Sequence, residues 1–148
     1  MANYIEPKKY ADWLMFLGTF LFFSGLIIGL CIPVMANARM GLSAHLEGTM
    51  NGMFLLILGL IWNKVLVSPQ WLKAAFWLTI YASFSNFTAV TFAAITGAGK
   101  MMPIAGGKEG TSLVEGIISF LLISLALAII AACCIILTGL YKSIKQLN

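Results

Sequence analysis

Residues 13–38 read WLMFLGTFLFFSGLIIGLCIPVMANA, a run of 26 residues with no Asp, Glu, Lys, Arg or His. About 20 apolar residues in a helix cross the roughly 30 Å hydrocarbon core of a bilayer, so this stretch is long enough to span one. Two more charge-free runs of the same length cover 74–99 and 116–141, and a fourth, of 16 residues, covers 48–63. The short run reaches spanning length once 44–47 and 64–67 are added, with Lys64 extending its ammonium toward the headgroups. The chain therefore reads as all-α, an integral membrane bundle of four transmembrane helices over about 8–36, 44–67, 69–98 and 112–142, in one domain covering 1–148.

Composition supports this reading. Of 148 residues, 61% are hydrophobic and 9% charged, too few charges for a water-soluble domain. The nine Lys/Arg and five Asp/Glu lie between the apolar blocks and form no basic patch, which excludes nucleic-acid binding. Lys8 and Lys9 precede a run ending in Ala36-Asn37-Ala38, a small-residue pattern like a signal-peptidase site. That run is longer than the 7–15 residues of a signal h-region, so a retained first helix is expected. Cys31, Cys133 and Cys134 fall within spans and read as small apolar packing residues.

Local signals place the helix ends. Ser43 is expected to cap the second helix, and Ser68 before Pro69 the third. Ser112-Leu113-Val114-Glu115 reads as a capping box opening the fourth. The stretch 100–111, with Pro103, Gly106, Gly107 and Gly110, is a loop long enough to fold over a site. Lys8, Lys9, Lys64, Lys73, Lys142 and Lys145 fall at the end carrying the termini, against Arg39, Lys100 and Lys108 at the other. This bias puts both termini in the cytoplasm of a cell inner (plasma) membrane, with 39–43 and 100–111 outside. Trp13, Trp62, Trp71, Tyr10 and Tyr141 form an aromatic belt on the inner side.

Gly18, Gly25 and Gly29 share one stripe of the first helix, and Gly48, Gly52 and Gly59 one stripe of the second. Such stripes permit close helix approach, either within the subunit or between subunits. His45, the sole histidine, points along the second stripe. It is either an interfacial histidine bonded to a carbonyl or a ligand, and one histidine suffices as the axial ligand of a haem. Glu47 and Asn51 stack on another face, about 120–160° round the helix from His45. Glu47 is a dipole-stabilised carboxylate or a buried acid/base, and Asn51 is helix glue or a substrate contact. Asn86, near mid-span in the third helix, demands a partner outside its own helix.

The segment 40–54, MGLSAHLEGTMNGMF, together with Ala75-Phe76-Trp77, Asn86 and Met101-Met102-Pro103-Ile104-Ala105, resembles the hydroxylaminobenzene mutases. More distantly the chain is similar to the styrene oxide isomerases, sharing His45, Asn51-Gly52-Met53 and the pair Ser85-Asn86. The resemblance implies an isomerase of membranes, assembled as a homotrimer. It also implies haem b held between subunits by His45 as the axial ligand of iron, and Asn51 and Asn86 orienting substrate at the open face. The substrate-binding tyrosine of the epoxide-isomerising branch falls at Val90, which favours the mutase reading, conversion of aryl hydroxylamines to 2-aminophenols. Ferric haem would act as a Lewis acid on the substrate oxygen, with Glu47 as proton shuttle.

Rival readings are an epoxide isomerase, a non-catalytic haem subunit that exchanges electrons with quinone, and a four-helix drug exporter. The electron carrier needs a second strong axial ligand, and the exporter a carboxylate within a span, which the first apolar run lacks. The orientation has a direct test. A cysteine introduced at Lys108 is expected to react with an impermeant reagent from outside the cell, and one at Ser143 is not; the reverse pattern overturns the topology.

Overall fold

The computed structural model describes residues 5–146. Four helices, α1 (Ile5–Cys31), α2 (Ala38–Ile61), α3 (Pro69–Thr96) and α4 (Ser112–Lys145), are joined through 3-10 turns at Ile32–Val34, Trp62–Lys64 and Pro103–Ala105. All four are long and apolar enough to cross a membrane. Among the described residues the only β-type pairing is an isolated bridge between Ala98 and Lys108.

One helix start and two helix caps differ from the sequence expectation. α2 begins at Ala38 rather than near residue 44, because the Asn37 side-chain oxygen accepts the backbone N–H groups of Arg39 and Met40 at 3.1 and 3.2 Å. Ser43 is no cap; its hydroxyl donates to the Arg39 carbonyl inside the helix, so 39–43 is helical and not a loop. Ser68 occupies the cap position of α3 without a side-chain cap bond, and Pro69, with no N–H to satisfy, starts the helix by itself. α4 is capped by Thr111, whose hydroxyl accepts from Val114 N–H, while Glu115 turns its carboxylate into the preceding loop. The capping box of 112–115 does not form.

Helix ends have equally local causes. α1 gives way to a 3-10 turn at Ile32-Pro33, where the proline has no N–H to continue the ladder. α3 closes on Gly97 in the left-handed conformation, φ +76°, with its N–H on the Ala93 carbonyl. α2 runs out at Ile61, and the following extended segment lies on α4, where Leu66 N–H donates to the Gly139 carbonyl.

The helices alternate in direction, α1 against α2, α2 against α3 and α3 against α4, with only sparse contact between α1 and α3. The α1–α2 seam is made by backbone meeting backbone. A Cβ on Gly48 would lie 2.5 Å from Gly25 Cα, and one on Gly18 would lie 2.8 Å from the Gly52 carbonyl oxygen. Both glycine stripes thus serve packing within the subunit, one of the two uses open to them from sequence. One buried cluster gathers Leu14, Leu21, Leu55, Trp62, Ala75 and Phe76, and a second, under the 97–111 loop, gathers Met40, Ala93, Ala94, Ala98 and Ile118.

Trp62 departs from the expected aromatic belt. It is 1% exposed, edge-on to Phe76 in the core, with its indole N–H unpartnered. Trp13, Trp71 and Trp77 remain on the surface. The outward faces of the helices are apolar throughout, Phe16, Phe20, Met50, Leu60, Phe120 and Leu127 among them, as a lipid-facing surface requires.

Gly48→Val is expected to destabilise the protein by about 1–3 kcal/mol, since backbone atoms rather than a flexible side chain stand in the way. Thermal unfolding in detergent should show this, with Gly116→Ala, where nothing lies within 4 Å, as the unaffected control.

Candidate functional site

A charged side chain in an apolar bundle needs polar company, and the structure gives Glu47 two carboxamides. Asn51, one turn further along α2, donates its Nδ2 to Glu47 Oε2 at 3.1 Å. Asn86 reaches across from α3 and donates to the same oxygen. All three side chains are half-buried. Asn86 therefore has the external partner its depth demands, and that partner is Glu47. Both amide donors converge on one carboxylate oxygen, so Oε1 and the remaining N–H and carbonyl of each amide stay available to a bound molecule.

Val90 follows Asn86 one turn along α3 and is buried, 3% exposed. Thr79, on the same face nearer the termini, spends its hydroxyl on the Ala75 carbonyl of its own helix. Ser83 is buried with no partner for its hydroxyl. Between α3 and α4 a single polar contact occurs at mid-span, Tyr81 with Ser124 at 2.6 Å.

His45 lies on the opposite flank of α2, facing α1. Its Nδ1 is 2.9 Å from the Gly25 carbonyl oxygen. A carbonyl can only accept, so Nδ1 carries the proton and donates, and Nε2 is left with a lone pair. Nε2 has no hydrogen-bond partner among the described residues and is not a buried orphan. The ring fits because α1 has no side chain beneath it: a Cβ on Gly29 would sit 2.7 Å from Nδ1. His45 is thus the carbonyl-bonded histidine of the plainer sequence reading, and its geometry is also that of a metal-binding imidazole, in which one nitrogen is held by a hydrogen bond and the other is free to ligate.

His45 and the Glu47 cluster do not meet. His45 and Glu47 are about 160° apart around α2, one turned to α1 and the other to α3. The structure brings together Glu47, Asn51 and Asn86, and leaves His45 apart from them.

Sequence reasoning missed the device that closes the end of the bundle away from the termini. Glu115, 6% exposed, accepts from the backbone N–H groups of Gly110 and Lys100 through Oε1, at 2.9 and 3.3 Å, pinning both strands of the 97–111 loop. Asn37 adds a second tether, its Nδ2 donating to the Ala105 carbonyl at 3.3 Å. Met102 and Ala105 then pack with Met40, which lies on the flank of α2 that carries Glu47. The Asn before Ala38-Arg39 was the available cap signal; nothing in the sequence pairs Glu115 with residues 100 and 110.

The styrene oxide isomerase family profile matches residues 10–141 of the chain. Hydroxylaminobenzene mutase HabB of Ectopseudomonas oleovorans is 49% identical over 137 residues, 91% of this chain and 84% of that protein. Hydroxylaminobenzene mutase HabA of the same organism is 44% identical over 127 residues, 84% of this chain and 94% of that protein. No solved structure matches the chain.

The Glu47 cluster has a thermodynamic signature. Because Asn51 and Asn86 share one acceptor, Asn51→Ala and Asn86→Ala are expected to be non-additive, with a coupling energy of roughly 0.5–3 kcal/mol in a double-mutant cycle of unfolding. Strict additivity would mean the shared oxygen does not link them.

Proposed function

We propose that this chain, which belongs to the styrene oxide isomerase family and is an isomerase, rearranges aryl hydroxylamines to 2-aminophenols within the bilayer. The observation that carries the reading is the Glu47–Asn51–Asn86 cluster, a carboxylate with two carboxamides set among apolar helices, in a chain that shares half its residues with a hydroxylaminobenzene mutase. Val90 stands where, by the family resemblance, the epoxide-isomerising branch has its substrate-binding tyrosine, and with no hydroxyl to offer it weighs against the epoxide reading.

The reaction needs no net electron transfer. The N–O bond breaks, a C–O bond forms at the ortho carbon, the proton on that carbon leaves, and the nitrogen gains one. Asn51 and Asn86 hold the hydroxylamine by its polar end, through the N–H and carbonyl groups that Glu47 does not use. Glu47 Oε1 takes the ring proton, which restores aromaticity, and returns one to nitrogen. Apolar walls keep water scarce, which suppresses solvent attack at the para carbon and favours intramolecular delivery of oxygen. A small apolar aromatic substrate reaches such a site by partitioning into the lipid.

Haem b is proposed at His45. The residue fits the group: Nδ1 is fixed by the Gly25 carbonyl, and Nε2 is left to bind iron. When bound there, ferric haem would supply a Lewis acid for the substrate oxygen. Because His45 and the Glu47 cluster occupy opposite flanks of α2, one site that uses both is completed by a neighbouring copy, which supports an oligomer, the homotrimer being what the family resemblance implies. The Lys/Arg bias toward the end carrying the termini supports a multi-pass placement in the plasma membrane with cytoplasmic termini.

Asn51→Ala and Asn86→Ala are expected to lower turnover of hydroxylaminobenzene by roughly 10²–10³-fold, as loss of a positioned donor does, without matching loss of cofactor. His45→Ala at matched expression and matched oligomeric state is expected to lose both the Soret band and the activity. A colourless wild type that still forms 2-aminophenol would rule out haem and leave acid catalysis by Glu47. Near-full activity in the Asn variants would reduce the cluster to helix glue.

A further inference from the structure

Because α1 and α3 both pack on α2 and barely touch each other, a cleft of about 480 Å³ opens between them at the end of the bundle that carries the termini. Lys9 and Lys73 stand in its lining, and the rest is Tyr10 with aromatic and aliphatic side chains, Trp13, Phe76, Trp77 and Ile80 among them. The Tyr10 and Phe76 rings meet at 4.6 Å, bridging α1 to α3, and Phe20 stacks on Phe84 at 6.4 Å further along the same two helices. Among the described residues no carboxylate lines the cleft; Asp12 lies in the adjoining groove, which Lys8 and Lys9 also line, on the Phe16 side of Trp13. Two indoles, Trp13 at 46% and Trp77 at 58% exposure, flank it on the outer surface.

We propose that this cleft binds an anionic phospholipid of the leaflet on the side of the termini, with the headgroup phosphate between Lys9 and Lys73 and an acyl chain lying along Trp13, Trp77 and Ile80. Two ammonium groups at the end of an apolar trough match an amphiphile with one anionic head and a hydrocarbon tail. Lysines at a span's end hold their charge at headgroup depth by extending along the apolar wall, and indoles prefer the same depth. A free anion would find partners only at the mouth and would leave the trough unfilled. A second copy of the chain is a poorer occupant, because at this end its acidic residues are only Glu6 and Asp12 against six lysines. The proposal goes beyond the isomerase reading and rests only on the helices spanning a membrane.

The test is native mass spectrometry of the delipidated, detergent-solubilised protein, titrated with phosphatidylglycerol or with phosphatidylcholine of the same acyl chains. Wild type is expected to retain phosphatidylglycerol preferentially. The double variant Lys9→Gln/Lys73→Gln is expected to bind it roughly 10- to 30-fold more weakly, with phosphatidylcholine binding unchanged. Lys142→Gln, at the α3–α4 groove with Trp71, is the control for a general loss of positive charge and should change phosphatidylglycerol binding little. Retained hydroxylaminobenzene turnover in the double variant, whose lysines lie outside the Glu47 cluster, would show that it folds; if turnover is lost, the single variants are titrated instead. Equal binding of both lipids, an unaffected double variant, or an equal loss in Lys142→Gln overturns the site. Competition by glycerol phosphate as effective as that by the lipid overturns the acyl-chain part and leaves a soluble-anion site.

Discussion

Everything in this bundle hangs on how closely α1 and α2 approach. Gly25 and Gly48 bring the two backbones to a separation that no side chain would survive, and the gain is dispersion contact in a solvent that supplies no hydrophobic drive between helices. The same approach has a polar product. Gly25 presents its carbonyl to His45 Nδ1, and Gly29 leaves room for the ring. One small-residue seam therefore both holds the fold and decides which imidazole nitrogen carries the proton.

On the other flank of α2 a different constraint applies. Glu47 cannot sit among apolar helices without donors, and in drawing Asn51 and Asn86 onto one oxygen it ties α2 to α3. α2 is thus the element through which both polar features are organised, with its glycine side given to α1 and its carboxylate side to α3. The outer faces of α1 and α4 carry bulky apolar residues, as a lipid-facing or subunit-facing surface does. Function of the proposed kind then needs the polar cluster held at fixed depth in a medium where its substrate dissolves, together with the group proposed at His45.

The four spans were legible because three charge-free runs of 26 residues leave no other home for their backbone groups. The glycine stripes and the separation of His45 from Glu47 were legible because helical spacing alone fixes them. What escaped reading was non-local or degenerate. In the stretch ANARMGLSA the expected cap is Ser43, and the fold instead uses Asn37, six residues earlier. Ser112-Leu113-Val114-Glu115 matches a capping pattern, yet its carboxylate answers two loop amides brought near by the 97–111 turn. Trp62 looked interfacial by position along the span, but the bend at the end of α2 turns it into the core. Asn86 could be seen to need a partner; that the partner is Glu47, 39 residues away, required three dimensions.

Asn37 does two jobs with the two ends of one amide. Its oxygen starts α2 by accepting from Arg39 and Met40, and its nitrogen holds the loop at Ala105. These jobs need opposite polarities, so residues at this position are not interchangeable in a single sense. An aspartate or serine there keeps an acceptor for the helix but sets no amide donor against the Ala105 carbonyl. Sequence drift at one site is in this way a dial on the stiffness of the 97–111 loop that leaves the helix beneath it nearly untouched.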